Sequence, residues 1–121
     1  MLPFLVDINL QHVPDPYLVG TWRVVERTLN HANPTDLLAQ ATCLHMQEGA
    51  LRLDTPGAPA PTLGHWQIER DSLLSRPYLR LQLAHEQVTA LVTRLRRSLD
   101  GEYRALALYF QSGLELLLVQ P

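Results

Sequence analysis

A chain of 121 residues suits one domain with its own core, and a single cysteine, Cys43, excludes an internal disulfide. With 46% hydrophobic and 18% charged residues the composition is globular, and no apolar run approaches the roughly 20 residues of a membrane-spanning helix. The net charge of -2 and ten basic residues, all arginines spread from Arg23 to Arg104, lack the dense basic footprint of a nucleic-acid binder. A soluble protein with no membrane span and no nucleic-acid partner is expected.

Along the chain, Met1 to Leu10 has no basic n-region and is interrupted by Pro3, Asp7 and Asn9, so it does not read as a secretory signal and a cytoplasmic location is expected. From Val19 onward apolar residues recur with period two, punctuated by glycine and proline, which predicts short antiparallel strands. Val19 to Thr28 is the first, with Trp22 and Val24 on one face and Thr21, Arg23 and Arg27 on the other. Asn30 to Gln40 breaks the alternation; Pro34-Thr35-Asp36 is a plausible helix entry, so a short helix or irregular lid is expected. Thr42 to Met46 and Ala50 to Asp54 read as a hairpin joined by Gln47-Glu48-Gly49, whose glycine supplies the positive φ of a tight turn. Three prolines, Pro56, Pro59 and Pro61, make the stretch from Thr55 to Thr62 a loop.

Gly64 to Arg70 and Pro77 to Leu83 alternate as strands with one wet face. Gln87 to Leu99 fits a helix through Leu91, Leu95 and Leu99, but the same leucines with Thr89 and Thr93 fit one strand face; valine and threonine favour strand. Asp100-Gly101 marks a hairpin turn into Tyr103 to Phe110, and Gln111-Ser112-Gly113 the next turn. Leu114 to Val119 is almost continuously apolar, as for a strand whose outer face is covered by the amino-terminal segment or by another subunit. About eight strands in meander order close most simply as an all-β, up-and-down antiparallel barrel. Residues 1–16 are read as an extension and residues 17–121 as the barrel domain.

The segment Tyr17-Leu18-Val19-Gly20-Thr21-Trp22 resembles the glycine-x-tryptophan opening of lipocalins and fatty-acid-binding proteins, and the order of elements to Val119 is similar to that of small bacterial lipocalin-like (calycin) domains. The resemblance implies a structural role for Gly20 and Trp22, the indole closing one barrel end. It also implies an arginine near the last strand stacked on that indole; the corresponding end here reads Leu118-Val119-Gln120-Pro121, which leaves Arg104 as a distant substitute. Haem-binding relatives carry extra glycines after the tryptophan, and Arg23-Val24-Val25-Glu26 has none.

Chemistry-bearing residues are few. His12, His31, His45, His65 and His85 show no metal-site repetition, although His45 and His65 could meet across neighbouring strands. Cys43 is expected as a small core side chain. The cluster of Arg94, Arg96 and Arg97 reads as a solvated strand face, with a small anion or partner patch as the alternative. No Ser/His/Asp order, phosphate loop or nucleophile elbow occurs, so no catalytic residue, metal or cofactor is expected. Two functions fit. The first is a non-catalytic binding protein for a small hydrophobic or amphipathic ligand, held inside the barrel by Trp66, Ile68 and Val24 with Glu26 as an inward polar handle. The second is an interaction or structural domain with a filled barrel, whose outer face, with the segment Met1 to Pro16, docks a partner or a second copy as a homodimer, the outward faces of Tyr103 to Val119 foremost.

Overall fold

The computed structural model describes residues 5–12, 15–57, 59–74, 76–83 and 86–120, and for His12 and Asp15 the backbone alone. The strands are β1 (Leu5–Asp7), β2 (Gly20–Thr28), β3 (Cys43–Gln47), β4 (Ala50–Asp54), β5 (Thr62–Arg70), β6 (Pro77–Gln82), β7 (Gln87–Ser98), β8 (Arg104–Phe110) and β9 (Glu115–Gln120). A single α-helical turn, α1 (Leu37–Gln40), and two 3-10 turns, Leu10–His12 and Asp15–Leu18, complete the described elements.

Strands β2 to β9 pair antiparallel in sequence order, and β9 returns to β2, so eight strands close an up-and-down barrel. The period-two leucines dictate this closure: Leu44, Leu53, Leu79, Leu81, Leu106, Leu108, Leu116 and Leu118 all point inward and are fully buried. Each contributes about 2 kcal/mol of transfer free energy, which is what drives the sheet to curl on itself rather than stay open.

Two bulges bend the wall. The register shifts between Val24 and Glu26 where β2 meets β9, and between Val92 and Arg94 where β7 meets β8. An extra residue flips the alternation beyond it. Thus Ala90 and Val92 face inward before the second bulge and Leu95 after it, so Leu91 and Leu95 do not share the strand face that their spacing implies.

Both barrel ends are closed by the chain itself. At one end Leu18 is fully buried, the Trp22 indole Nε1 donates to the Leu18 carbonyl at 2.8 Å, and the Trp66 Nε1 donates to the Gln47 carbonyl at 2.6 Å. Arg104 stacks over the Tyr17 ring, 5.6 Å to its centroid, and donates to the Tyr17 carbonyl at 3.1 Å. Its stacking partner is therefore the tyrosine before the motif rather than the indole within it. At the other end α1 buries Leu38 and Ala39 on the core, tied down by the Arg27 guanidinium, which donates to the carbonyls of Ala39 and Ala41.

Within the segment read as an extension, Leu5–Asp7 joins the same sheet. β7 has twelve residues and runs past the end of β6; there β1 pairs with it, Asp7 opposite Arg96 and Leu5 opposite Ser98. No helix among the described residues is long and apolar enough to cross a membrane.

Candidate functional site

Of the four residues expected to line an interior pocket, three face the core and one does not. Trp66 is buried, while Val24 and Ile68 are partly buried against the core, whose centre is taken by Trp22, Met46 and the leucines. Glu26 faces the other way: the bulge after Val24 places it on the outer wall, opposite Leu117, and exposed. The inward carboxylate read from strict alternation is thus corrected by one inserted residue, Val25. Gly20 has φ +132, and a Cβ there would collide with the Gln120 side chain, whose Nε2 donates to the Val19 carbonyl at 3.1 Å. The positive φ favours glycine at that position, and any larger side chain would also have to displace the tip of Gln120.

On the outer wall a groove of about 830 Å³ runs across β7, β8, β9 and β2. Its floor comes from two cross-strand rows. Arg94, Ala107, Leu117 and Glu26 are successive partners in one row, and Arg96, Ala105, Val119 and Arg23 in the next. β8 presents alanine where its neighbours present long side chains, so the wall is concave along β8. Val25, Tyr103 and Leu5 complete the lining. The apolar outer residues of β9 are explained in part by this arrangement: Val119 is only 4% exposed although it faces outward.

The groove is apolar below, and at its rim Arg23, Arg94 and Arg96 outnumber the carboxylates of Glu26 and Asp7. Asp7 accepts from Arg94 Nε at 3.0 Å and lies 3.3 Å from Arg96 Nε, so one carboxylate serves two guanidiniums. Among the described residues no carboxylate pairs with Arg23. Tyr103 enters the groove from a fixed turn: the Ser98 hydroxyl donates to Asp100 and accepts from the Tyr103 amide at 3.0 Å. That hydroxyl, helped by the Glu102 amide, holds the Asp100 carboxyl below its ordinary range.

A second cluster lies on the outer wall of β3 and β4. Cys43 and His45 face outward, half-buried, contrary to the expected core position of the cysteine, and Asp54 is the cross-strand partner of Cys43. One donor atom from each of the three lies within 4.8 Å of the others. The Cys-x-His spacing on a strand, which places both side chains on one face, is the signal that a search among the histidines alone passes over. His45 and His65 stand on strands separated by β4 and are not brought together in register; the His85 expectation lies outside the described residues. No family model matches the sequence, and no curated protein or solved structure matches it.

Proposed function

We infer that this chain is a non-catalytic, lipocalin-like binding domain that holds a small amphipathic anion in the groove floored by Ala105 and Ala107. The observation that carries the reading is the pairing of an apolar floor with arginines that outnumber the carboxylates: Arg23, Arg94 and Arg96 stand against Asp7 and Glu26, and among the described residues no carboxylate pairs with Arg23. Burying a hydrocarbon or aromatic body against Leu117, Val25 and Val119 supplies affinity, and a charge-assisted bond from a guanidinium to a carboxylate or sulfonate supplies orientation. The groove volume falls within the roughly 300–1,000 Å³ usual for small-molecule sites. The glycine-x-tryptophan entry to β2, with Trp22 closing the barrel end, supports the lipocalin-like assignment. The large side chains fully buried in the core, Trp22, Met46 and the inward leucines among them, favour the outer wall as the place where binding occurs.

The test is a fluorescence titration with anilinonaphthalene sulfonate, followed by competition with dodecanoate and with dodecanol. The sulfonate probe is expected to bind and dodecanoate to displace it better than the uncharged alcohol. Ala107→Trp should fill the groove and abolish binding. Arg23→Ser should weaken the anion by roughly tenfold, the equivalent of ~1.4 kcal/mol for one lost charge-assisted bond. Probe binding that ignores both variants, or none at all, overturns the proposal. If the protein is instead a stable dimer that Ala107→Trp dissociates, the face is a subunit interface.

A further inference from the structure

We propose that Cys43, His45 and Asp54 form a binding site for one thiophilic divalent cation of the zinc class, separate from the groove. Antiparallel pairing puts Cys43 and Asp54 directly opposite each other, and His45 follows two residues along β3 on the same face, so three different donors meet at one point of the wall. The ligand types decide the metal. A thiolate, an imidazole and one carboxylate suit Zn²⁺, whereas Ca²⁺ and Mg²⁺ want oxygen donors in larger number.

The distances fit after a small adjustment. Zn–S and Zn–N or Zn–O bonds of normal length set the donor atoms of one tetrahedral ion roughly 3.4–3.6 Å apart. The three donors here lie within 4.8 Å of one another, so side-chain rotation of about an ångström brings them onto a common ion. His45 Nε2 lies 2.7 Å from Asp54 Oδ2, and the ion takes the place of the shared proton between them. The other ring nitrogen is already held: His45 Nδ1 is 3.0 Å from Thr21 Oγ1 on β2. In the metal-bound form Nδ1–H donates to that hydroxyl, which fixes Nε2 as the ligand atom, the orienting role that histidine ligands ordinarily require. Arg52 Nε lies 3.5 Å from the other carboxylate oxygen, Asp54 Oδ1, and can stay there while Oδ2 takes the ion. Three protein ligands leave a fourth position for water or another exchangeable donor.

The experiment treats the full chain with chelator, then titrates it with Co²⁺ as an optical probe and displaces Co²⁺ with Zn²⁺. One equivalent of Co²⁺ should give a thiolate charge-transfer band with intense visible transitions of tetrahedral geometry, both erased by Zn²⁺. Cys43→Ser should remove the charge-transfer band, and His45→Gln or Asp54→Asn should each weaken Co²⁺ at least tenfold, with circular dichroism confirming that each variant is folded. Zn²⁺ should raise the melting temperature of the parent protein and leave that of Cys43→Ser unchanged. Cys43→Ser should leave the sulfonate probe's affinity for the groove unaltered, so the two sites succeed or fail separately. Absence of the band, its persistence in Cys43→Ser, or unchanged affinity in both His45→Gln and Asp54→Asn would overturn the proposal; the last result would mean a free thiol acting alone.

Discussion

Replacing Trp22 by alanine removes the side chain that closes one end of the barrel. Trp22 is 0% exposed, sits in the central apolar cluster, and gives its indole proton to the carbonyl of Leu18, itself fully buried. Truncating a buried aromatic costs about 3–5 kcal/mol in transfer and cavity terms. The Leu18 carbonyl, left in the core without this donor, adds about 1 kcal/mol. A loss of about 4–6 kcal/mol approaches the whole stability of a small domain, so urea unfolding monitored by far-ultraviolet circular dichroism must be paired with a gentler variant. Trp22→Phe keeps most of the ring and loses only the donor and some volume, for an expected cost of about 1–2 kcal/mol, or a melting temperature lower by about 4–8 °C. The reasoning fails if Trp22→Ala costs less than about 1 kcal/mol, because no fully buried indole at a barrel end could then be contributing its contact area.

A Cβ added at Gly64 would lie 2.2 Å from the Gln82 backbone oxygen, so Gly64→Ala must push β5 away from β6. It should cost about 1–3 kcal/mol, the range for overpacking, in the same unfolding assay. Gly49→Ala meets nothing within 4 Å and should cost only the left-handed backbone term of about 1–2 kcal/mol. Asp100 has its carboxyl held below the ordinary range by the Ser98 hydroxyl first and the Glu102 amide second, so its stabilising effect is present above that range and is lost as pH falls through the lowered value. Asp100→Asn should therefore be less stable than the parent near neutrality, with the difference closing on acidification; a constant difference down to pH ~2 would refute the assignment.

The fold was legible because its signals are local and redundant. Period-two leucines, the prolines after Thr55 and the Asp100-Gly101 turn each limit the chain independently, and they agree on eight strands in meander order. Even the ambiguous run from Gln87 to Leu99 resolves as a strand, β7 ending at Ser98, because its helical reading offered Leu91, Leu95 and Leu99 as one stripe while both neighbouring strands required a partner there. The closure of both ends was less legible. It depends on Arg104 reaching Tyr17 and Arg27 reaching the α1 carbonyls, contacts 87 and 12 residues apart in sequence that no local pattern encodes.

The candidate sites were hidden by single-residue steps in register. Strict alternation from Trp22 makes Glu26 inward; inserting Val25 as a bulge makes it outward and turns an expected interior handle into part of the groove wall. The same arithmetic governs the cysteine. With Gln47-Glu48-Gly49 taken as the turn, Met46 would face Ala50 and Cys43 would face Leu53, leaving Asp54 one place away on the opposite face. The turn is in fact tighter: Gln47 pairs with Ala50, so each partner along the hairpin moves by one and Cys43 meets Asp54. A one-residue slip exchanges the two faces of a strand, and here it decides whether a carboxylate stands beside the thiol and the imidazole or beneath them. Sequence patterning constrains a register only where a wrong choice would bury a charge or expose a core leucine. A slip of one along β4 would turn Leu51 and Leu53, both buried opposite Met46 and Leu44, out of the core, so the leucine pattern holds the observed register and with it the pairing of Cys43 with Asp54.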